Sequence, residues 1–191
     1  MNLLLLGPAC IQLADFFKTR GDVVIGSEEK VAEDNPNWIW MDYAVSFGYR
    51  HILPAVITRQ YSGRILNIHI SYLPWNRGAD PNLWSFLEDT PKGVSVHLVD
   101  EKVDTGPLLA REKVEMLPED TLEISYHRLK ASAEALFIRV WPDYVSGKLK
   151  PRPQESGGTS HMRKDKDPWL PYLTHGWDTP TRRLKRLAVT R

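Results

Sequence analysis

The run Ile65-Leu66-Asn67-Ile68-His69-Ile70-Ser71 is apolar enough to be a buried strand, yet every second residue after Ile65 is polar. Side chains of a strand alternate between faces, so Leu66, Ile68 and Ile70 share one face and Ile65, Asn67, His69 and Ser71 the other. The first face has to be core. The second must be satisfied internally or open onto a cleft, because an unpaired buried amide or imidazole costs about 1–3 kcal/mol. Leu73-Pro74 then stops the strand, since proline has no N–H to give to a ladder. The polar side chains therefore sit at the C-terminal end of the strand, where open α/β sheets place their ligands.

A second alternating run, Gly93 to Val99, leads into Asp100-Glu101-Lys102-Val103-Asp104-Thr105-Gly106. Gly106 allows a tight turn, and the loop is expected to deliver Asp104 to a crevice shared by the two strand ends. Singly these are weak signals, since a lone histidine on a strand is more often structural. Together, an amide, an imidazole and a carboxylate can carry an acyl group to an amine. Groups of these types can stabilise an oxyanion and handle a proton.

The rest of the pattern is strand-helix alternation. Strands are expected at 2–6, 22–26, 42–47, 64–70, 93–99 and 107–115, with helices near 9–20, 52–60, 81–88 and 121–146. The last helix is expected to start at Asp120 with Glu123 completing a capping box. Leu122, Tyr126, Leu129, Ala133, Leu136, Phe137, Val140 and Trp141 mark its core stripe, and Pro142 would kink or end it. Cys10, at the end of the first apolar run, reads as core. No Gly-x-Gly-x-x-Gly follows that run, so nothing supports a dinucleotide site.

From Ser46 to Glu112 the chain resembles the folate-dependent formyltransferases. The likeness rests on Asn67-x-His69, Ser71-x-Leu73-Pro74, Arg77-Gly78, Gly93-Val94-x-Val96-His97 and Asp104-x-Gly106, and it is nearest to the small sugar N-formyltransferases and to the formylation domain of some nonribosomal peptide synthetases. The resemblance implies an α/β, trimmed Rossmann-like formyltransferase fold, a mixed and mostly parallel sheet flanked by helices, with a catalytic domain over 1–150 and a C-terminal extension over 151–191. It implies 10-formyltetrahydrofolate as donor, no metal, and a primary amine as acceptor, an amino sugar that is free, nonulosonic or nucleotide-linked. Catalytic residues would be Asn67, His69 and Asp104. The folate would lie against Tyr49, Arg50, His51, Ile52 and Leu53, with Ser71, Pro74, Asp100, Glu101 and Val103 around it. Acceptor contacts would come from Trp75, Asn76, Arg77, Asp80 and His97; for Arg77 an internal salt bridge within the loop is an equal reading. Other readings of the same residues are transfer to an aminoacyl group on a carrier protein, release of formate from the donor, and a non-catalytic folate-binding module.

Composition narrows the partners. The 191 residues hold 25 basic and 24 acidic side chains, so no strong field argues for nucleic acid. One cysteine leaves no internal disulfide, and no stretch approaches membrane-spanning length, so a cytoplasmic enzyme without membrane partners is expected. After Gly147, Pro and Gly mark loop. Trp169, Tyr172 and Trp177 in the tail need cover, which predicts packing on the body or on a second subunit as a homodimer.

Overall fold

Short apolar runs separated by turn residues become strands of one sheet, and the amphipathic segments between them become its cover. The computed structural model describes residues 1–189, with side chains through Lys185. In chain order the elements are β1 (Asn2–Leu6), α1 (Ile11–Thr19), β2 (Val23–Ser27), α2 (Asn37–Trp40), β3 (Tyr43–Phe47), α3 (Ala55–Gln60) and β4 (Ile65–His69). There follow β5 (Arg77–Gly78), α4 (Pro81–Leu87), β6 (Gly93–Leu98), β7 (Leu108–Lys113), α5 (Leu122–Val145), β8 (Ser160–His161), a 3-10 stretch (Arg163–Tyr172) and α6 (Thr181–Val189).

Six strands form the main sheet in the order β2-β1-β3-β4-β6-β7, and β5 pairs with β8 in a separate ribbon. Strands β1 to β4 run parallel, whereas β6 is antiparallel to β4 and β7 is antiparallel to β6. Both faces are covered. Leu3, Val45, Leu66, Ile68 and Val96 pack under α1 and α5 with Phe17, Phe137 and Trp141, and Leu4, Leu6, Ala44 and Ile65 pack under Trp38, Met41, Ile57 and Tyr61. The expected split of β4 into two faces is therefore realised, Ile65 marking the face on which Asn67 and His69 lie. Trp141 is fully buried, and truncating it to Ala would cost about 3–5 kcal/mol.

Three local expectations need correction. The cap of α5 is Thr121, whose side chain accepts from Ile124 N, so the Asp120–Glu123 capping box is off by one residue. Asp120 is instead buried, accepting from Leu117 N at 2.8 Å and from Arg128 at 2.9 Å. Pro142 does not end α5, which continues to Val145, so of the two expectations for it the helix stop is the one overturned. Cys10 is half-buried at the start of α1 and donates to Glu134 at 3.4 Å, so it lies at the edge of the core.

The segment after Gly147 folds back on the body. Leu108 and Arg152 exchange both backbone hydrogen bonds, β8 pairs with β5, and Leu184 of α6 is fully buried in a cluster with Leu83, Trp84 and Phe86 of α4. Trp177 remains 52% exposed beside Tyr126. No helix among the described residues is long and apolar enough to cross a membrane.

Candidate active site

The antiparallel pairing of β4 and β6 sets Asn67 opposite His97 and His69 opposite Ser95, so directly opposed side chains share a face of the sheet. Because β6 runs antiparallel to β4, its C-terminal end points away from the end of β4, contrary to the expectation of two strand ends meeting. The loop after β6 closes the gap by doubling back. Leu98 N donates to Pro107 O at 2.8 Å, and a Cβ on Gly106 would lie 1.9 Å from Leu98 O, an approach open only to glycine. Asp104, held in the left-handed region with φ 53°, then reaches β4 from above.

Its carboxylate is gripped on both oxygens. Asn67 Nδ2 donates to Oδ1 at 3.0 Å and Gly78 N donates to Oδ2 at 2.8 Å, while His97 Nε2 lies 3.4 Å from Oδ1 and His69 Nδ1 lies 3.6 Å from Oδ2. Burial by itself pushes the Asp104 carboxyl upward, but the charge of His69, the hydrogen bond and charge of His97 and the Gly78 N–H together outweigh it. The group is held well below the usual carboxylate range and is ionised at neutral pH. The ring nitrogens are fixed by carbonyls, which only accept. His97 Nδ1 faces Leu98 O at 2.7 Å and His69 Nε2 faces Asn76 O at 3.0 Å, so each of these nitrogens carries a proton. Asn67 Nδ2 also lies 3.2 Å from His97 Nε2, so the amide faces both the carboxylate and an imidazole.

An amide, two imidazoles and an ionised carboxylate thus cluster at the end of β4, and comparisons with known proteins give the chain a family. The sequence pattern of the formyl transferase family matches residues 27–141, more than half of the chain. The chain belongs to the formyl transferase family. The crystal structure of the formyltransferase PseJ from Anoxybacillus kamchatkensis, in complex with UDP-4,6-dideoxy-4-formamido-L-AltNAc and tetrahydrofolate, is similar at TM-score 0.95 and 43% identity, over 98% of this chain and 100% of that one. A 4-N formyltransferase from Francisella tularensis shares the fold at TM-score 0.75 and 21% identity, over 87% of this chain and 78% of that one. The methionyl-tRNA formyltransferase of Myxococcus xanthus is 38% identical over 118 residues, 61% of this chain and 38% of that protein. This chain spans about two fifths of the curated relatives it matches.

The other expected site residues divide into three groups. Tyr49 to Leu53 form the loop between β3 and α3, on the Asn67 face. Tyr49 is tied to Glu29 O and Val31 N, Leu53 leans on the core, Arg50 and His51 are exposed and Ile52 is 74% exposed. Arg59 at the end of α3 meets Glu101 at 3.2 Å, linking that side of the crevice to the Asp104 loop, where Asp100 accepts from Thr105 and Val103 is 47% exposed. Trp75 is partly exposed and Pro74 is buried. A second group is turned inward. Ser71 is 2% exposed and donates to Trp75 O, and Asn76 is fully buried, its side chain bonded to Thr90 and Thr159. The polar atoms of both side chains hold the loop together. The third group is braced from the tail: Arg77 donates to Gln154 Oε1 at 2.8 Å and Asp80 binds Lys166 at 2.9 Å. For Arg77 the structure favours the internal reading, with an amide in place of the expected salt-bridge partner.

Several contributors carried no sequence signal. Gln154, Thr159 and Gly158 lie in a stretch whose composition reads as loop, yet a Cβ on Gly158 would fall 2.0 Å from Pro74 O, and Thr159 Oγ1 accepts from Asn76 N at 3.0 Å. Gly78 is the N–H donor to Asp104, a role that belongs to its backbone and to no side chain a motif can show.

Proposed function

We propose that this chain transfers a formyl group from 10-formyltetrahydrofolate to a primary amine of a nucleotide-linked amino sugar. The observation that carries the reading is the convergence of Asn67, His69 and Asp104 in one crevice, in a chain alike over nearly its whole length to a formyltransferase seen with tetrahydrofolate and a UDP-linked formamido sugar. The sequence likeness to methionyl-tRNA formyltransferases covers 61% and 65% of this chain in two such relatives, and it speaks for shared donor chemistry more than for a shared acceptor.

The residues fit such a donor. The loops carrying Ile52 and Val103 are joined through Arg59 and Glu101, and both apolar side chains stand exposed where a flat heteroaromatic ring would cover them. When bound, the donor supplies a formyl group ready for transfer from nitrogen. Asp104, ionised at neutral pH, lies 3.6 Å from His69 Nδ1 and holds that ring toward the reacting carbonyl. Asn67 keeps its bond to Asp104 and turns its second proton to the oxygen on which negative charge develops, because a charge-assisted hydrogen bond is about twice as strong as a neutral one. The attacking amine gives up one proton and the departing donor nitrogen takes one up, so the His69–Asp104 pair relays a proton with no net change in its own charge.

Tetrahydrofolate release measured with UDP-linked amino sugars, free amino sugars, methionyl-tRNA, a carrier-linked aminoacyl group and no acceptor tests the proposal. Turnover dependent on an amino sugar and lost in His69→Ala and Asn67→Ala is expected. Turnover on methionyl-tRNA or on the carrier-linked group alone would move the acceptor, formate release without acceptor would make the chain a hydrolase, and folate binding without turnover would make it a binding module.

A further inference from the structure

The segment outside the family match reaches into the crevice from behind, and Gln154 is where it does so. Arg152 pairs with Leu108 at the start of β7, which sets the next residues along the underside of the Asp104 loop. Gln154 Nε2 donates one proton to Asp104 O at 2.8 Å and the other to Gly106 O at 2.9 Å, and its Oε1 accepts from Arg77 Nη2 at 2.8 Å and Nε at 3.2 Å. Two donors and two lone pairs are all that a primary amide has, and all four are used.

The two ends of this bridge are the two supports of the Asp104 carboxylate. One end fixes the backbone of Asp104, a non-glycine residue at φ 53°, and of Gly106, which is pressed against Leu98 O. The other end fixes Arg77, the residue preceding the Gly78 N–H that holds Oδ2. We infer that Gln154 is a positioning residue for Asp104, setting the carboxylate between His69, His97 and Asn67 without touching the reactants itself. The kinetic side of this inference rests on the formyl-transfer reading; the geometric side does not.

The groups facing Asp104 are His69 from β4, His97 from β6, the Asn67 amide and the Gly78 N–H, so a displaced carboxylate loses what keeps it ionised and the two histidines lose their anionic partner. The test compares wild type with Gln154→Ala and with Gln154→Met, which keeps about the same volume without adding charge but has no protons for the two carbonyls and no acceptor for Arg77. Two readouts are needed: kcat and KM for tetrahydrofolate release across pH, and the NMR titration of the Asp104 carboxyl.

Both variants are expected to fall about 10–100-fold in kcat with KM for donor and acceptor little changed, in line with the cost of an ångström-scale misplacement. The acid limb of kcat/KM would move to higher pH, and the Asp104 titration would move up toward the ordinary carboxylate range. A wild-type Asp104 titration in folded variants would overturn the inference, as would a defect confined to KM or to thermal stability. If Gln154→Ala does not fold, Gln154→Met decides by the same two readouts. A wild-type enzyme that releases no tetrahydrofolate with any acceptor would sink the formyl-transfer reading alone, and the titrations would still decide the role of Gln154.

Discussion

The parallel half of the sheet and its antiparallel half are built to different tolerances. In the parallel half β2 is an edge strand with no fully buried residue, α2 is a single turn with Ile39 86% exposed, and a cavity of about 240 Å³ lies among Leu5, Cys10, Leu13, Val24 and Val45. In the antiparallel half every residue of β6 is buried. There, and in the β5–β8 ribbon and the loop leading into it, backbones approach so closely that a Cβ on Gly78, Gly93, Gly106 or Gly158 would stand 2.3, 2.4, 1.9 or 2.0 Å from a carbonyl oxygen. The parallel half has one comparable approach, Gly7 on Phe47 O at 2.1 Å. The difference shows that a generic α/β layer can be loose where it only covers a core, whereas the half that aims Asp104 at β4 leaves little room for adjustment.

The largest effect expected to sharpen this contrast is at the carboxylate. Asp104→Asn should lower kcat/KM by about 10³-fold, within the range for acid–base and charge-stabilising groups, with the fold intact by circular dichroism. The same substitution has a signature in stability. Because the folded-state carboxyl lies below the ordinary value of about 3.9, its contribution is fully present above that pH and is lost as pH falls through the folded value. The difference in Tm between wild type and Asp104→Asn should therefore narrow between about pH 5 and pH 2. A constant difference would show that the carboxylate is not stabilised by its neighbours.

Next in size is a pair of glycines, both at positive φ. Gly158→Ala, with Pro74 O in the way, should cost about 2–3 kcal/mol and also lower activity, whereas Gly21→Ala, with nothing within 4 Å, should cost about 1 kcal/mol and leave activity alone. Equal losses in chemical denaturation would break the comparison. Smallest is Ile39→Ser on α2, expected within about 0.5 kcal/mol and kinetically silent.

What could be read from sequence follows the same division. The strands of the parallel half announce themselves as short apolar runs, and the alternation in Ile65 to Ser71 is enough to place Asn67 and His69 on one face. The reversal of β6 leaves no such trace, because an alternating strand looks the same in either direction. Only the turn through α4 decides it. The inward rotation of Ser71 and Asn76 was equally hidden, since their partners, Trp75 O, Thr90 and Thr159, are backbone or distant in sequence. Gln154 and Thr159 were invisible for the same reason: their contacts lie about 50 and 80 residues away, in a stretch whose Pro and Gly content reads only as loop.

The placement of Gln154 and Thr159 so late in the chain also orders events during synthesis. All six strands of the main sheet and α5 precede them, so the hydrophobic layers are available to collapse while these two residues are still unmade. A nascent chain that has already buried its core thus still lacks the bonds that fix Asp104 and Asn76, and competence for chemistry is acquired after compactness.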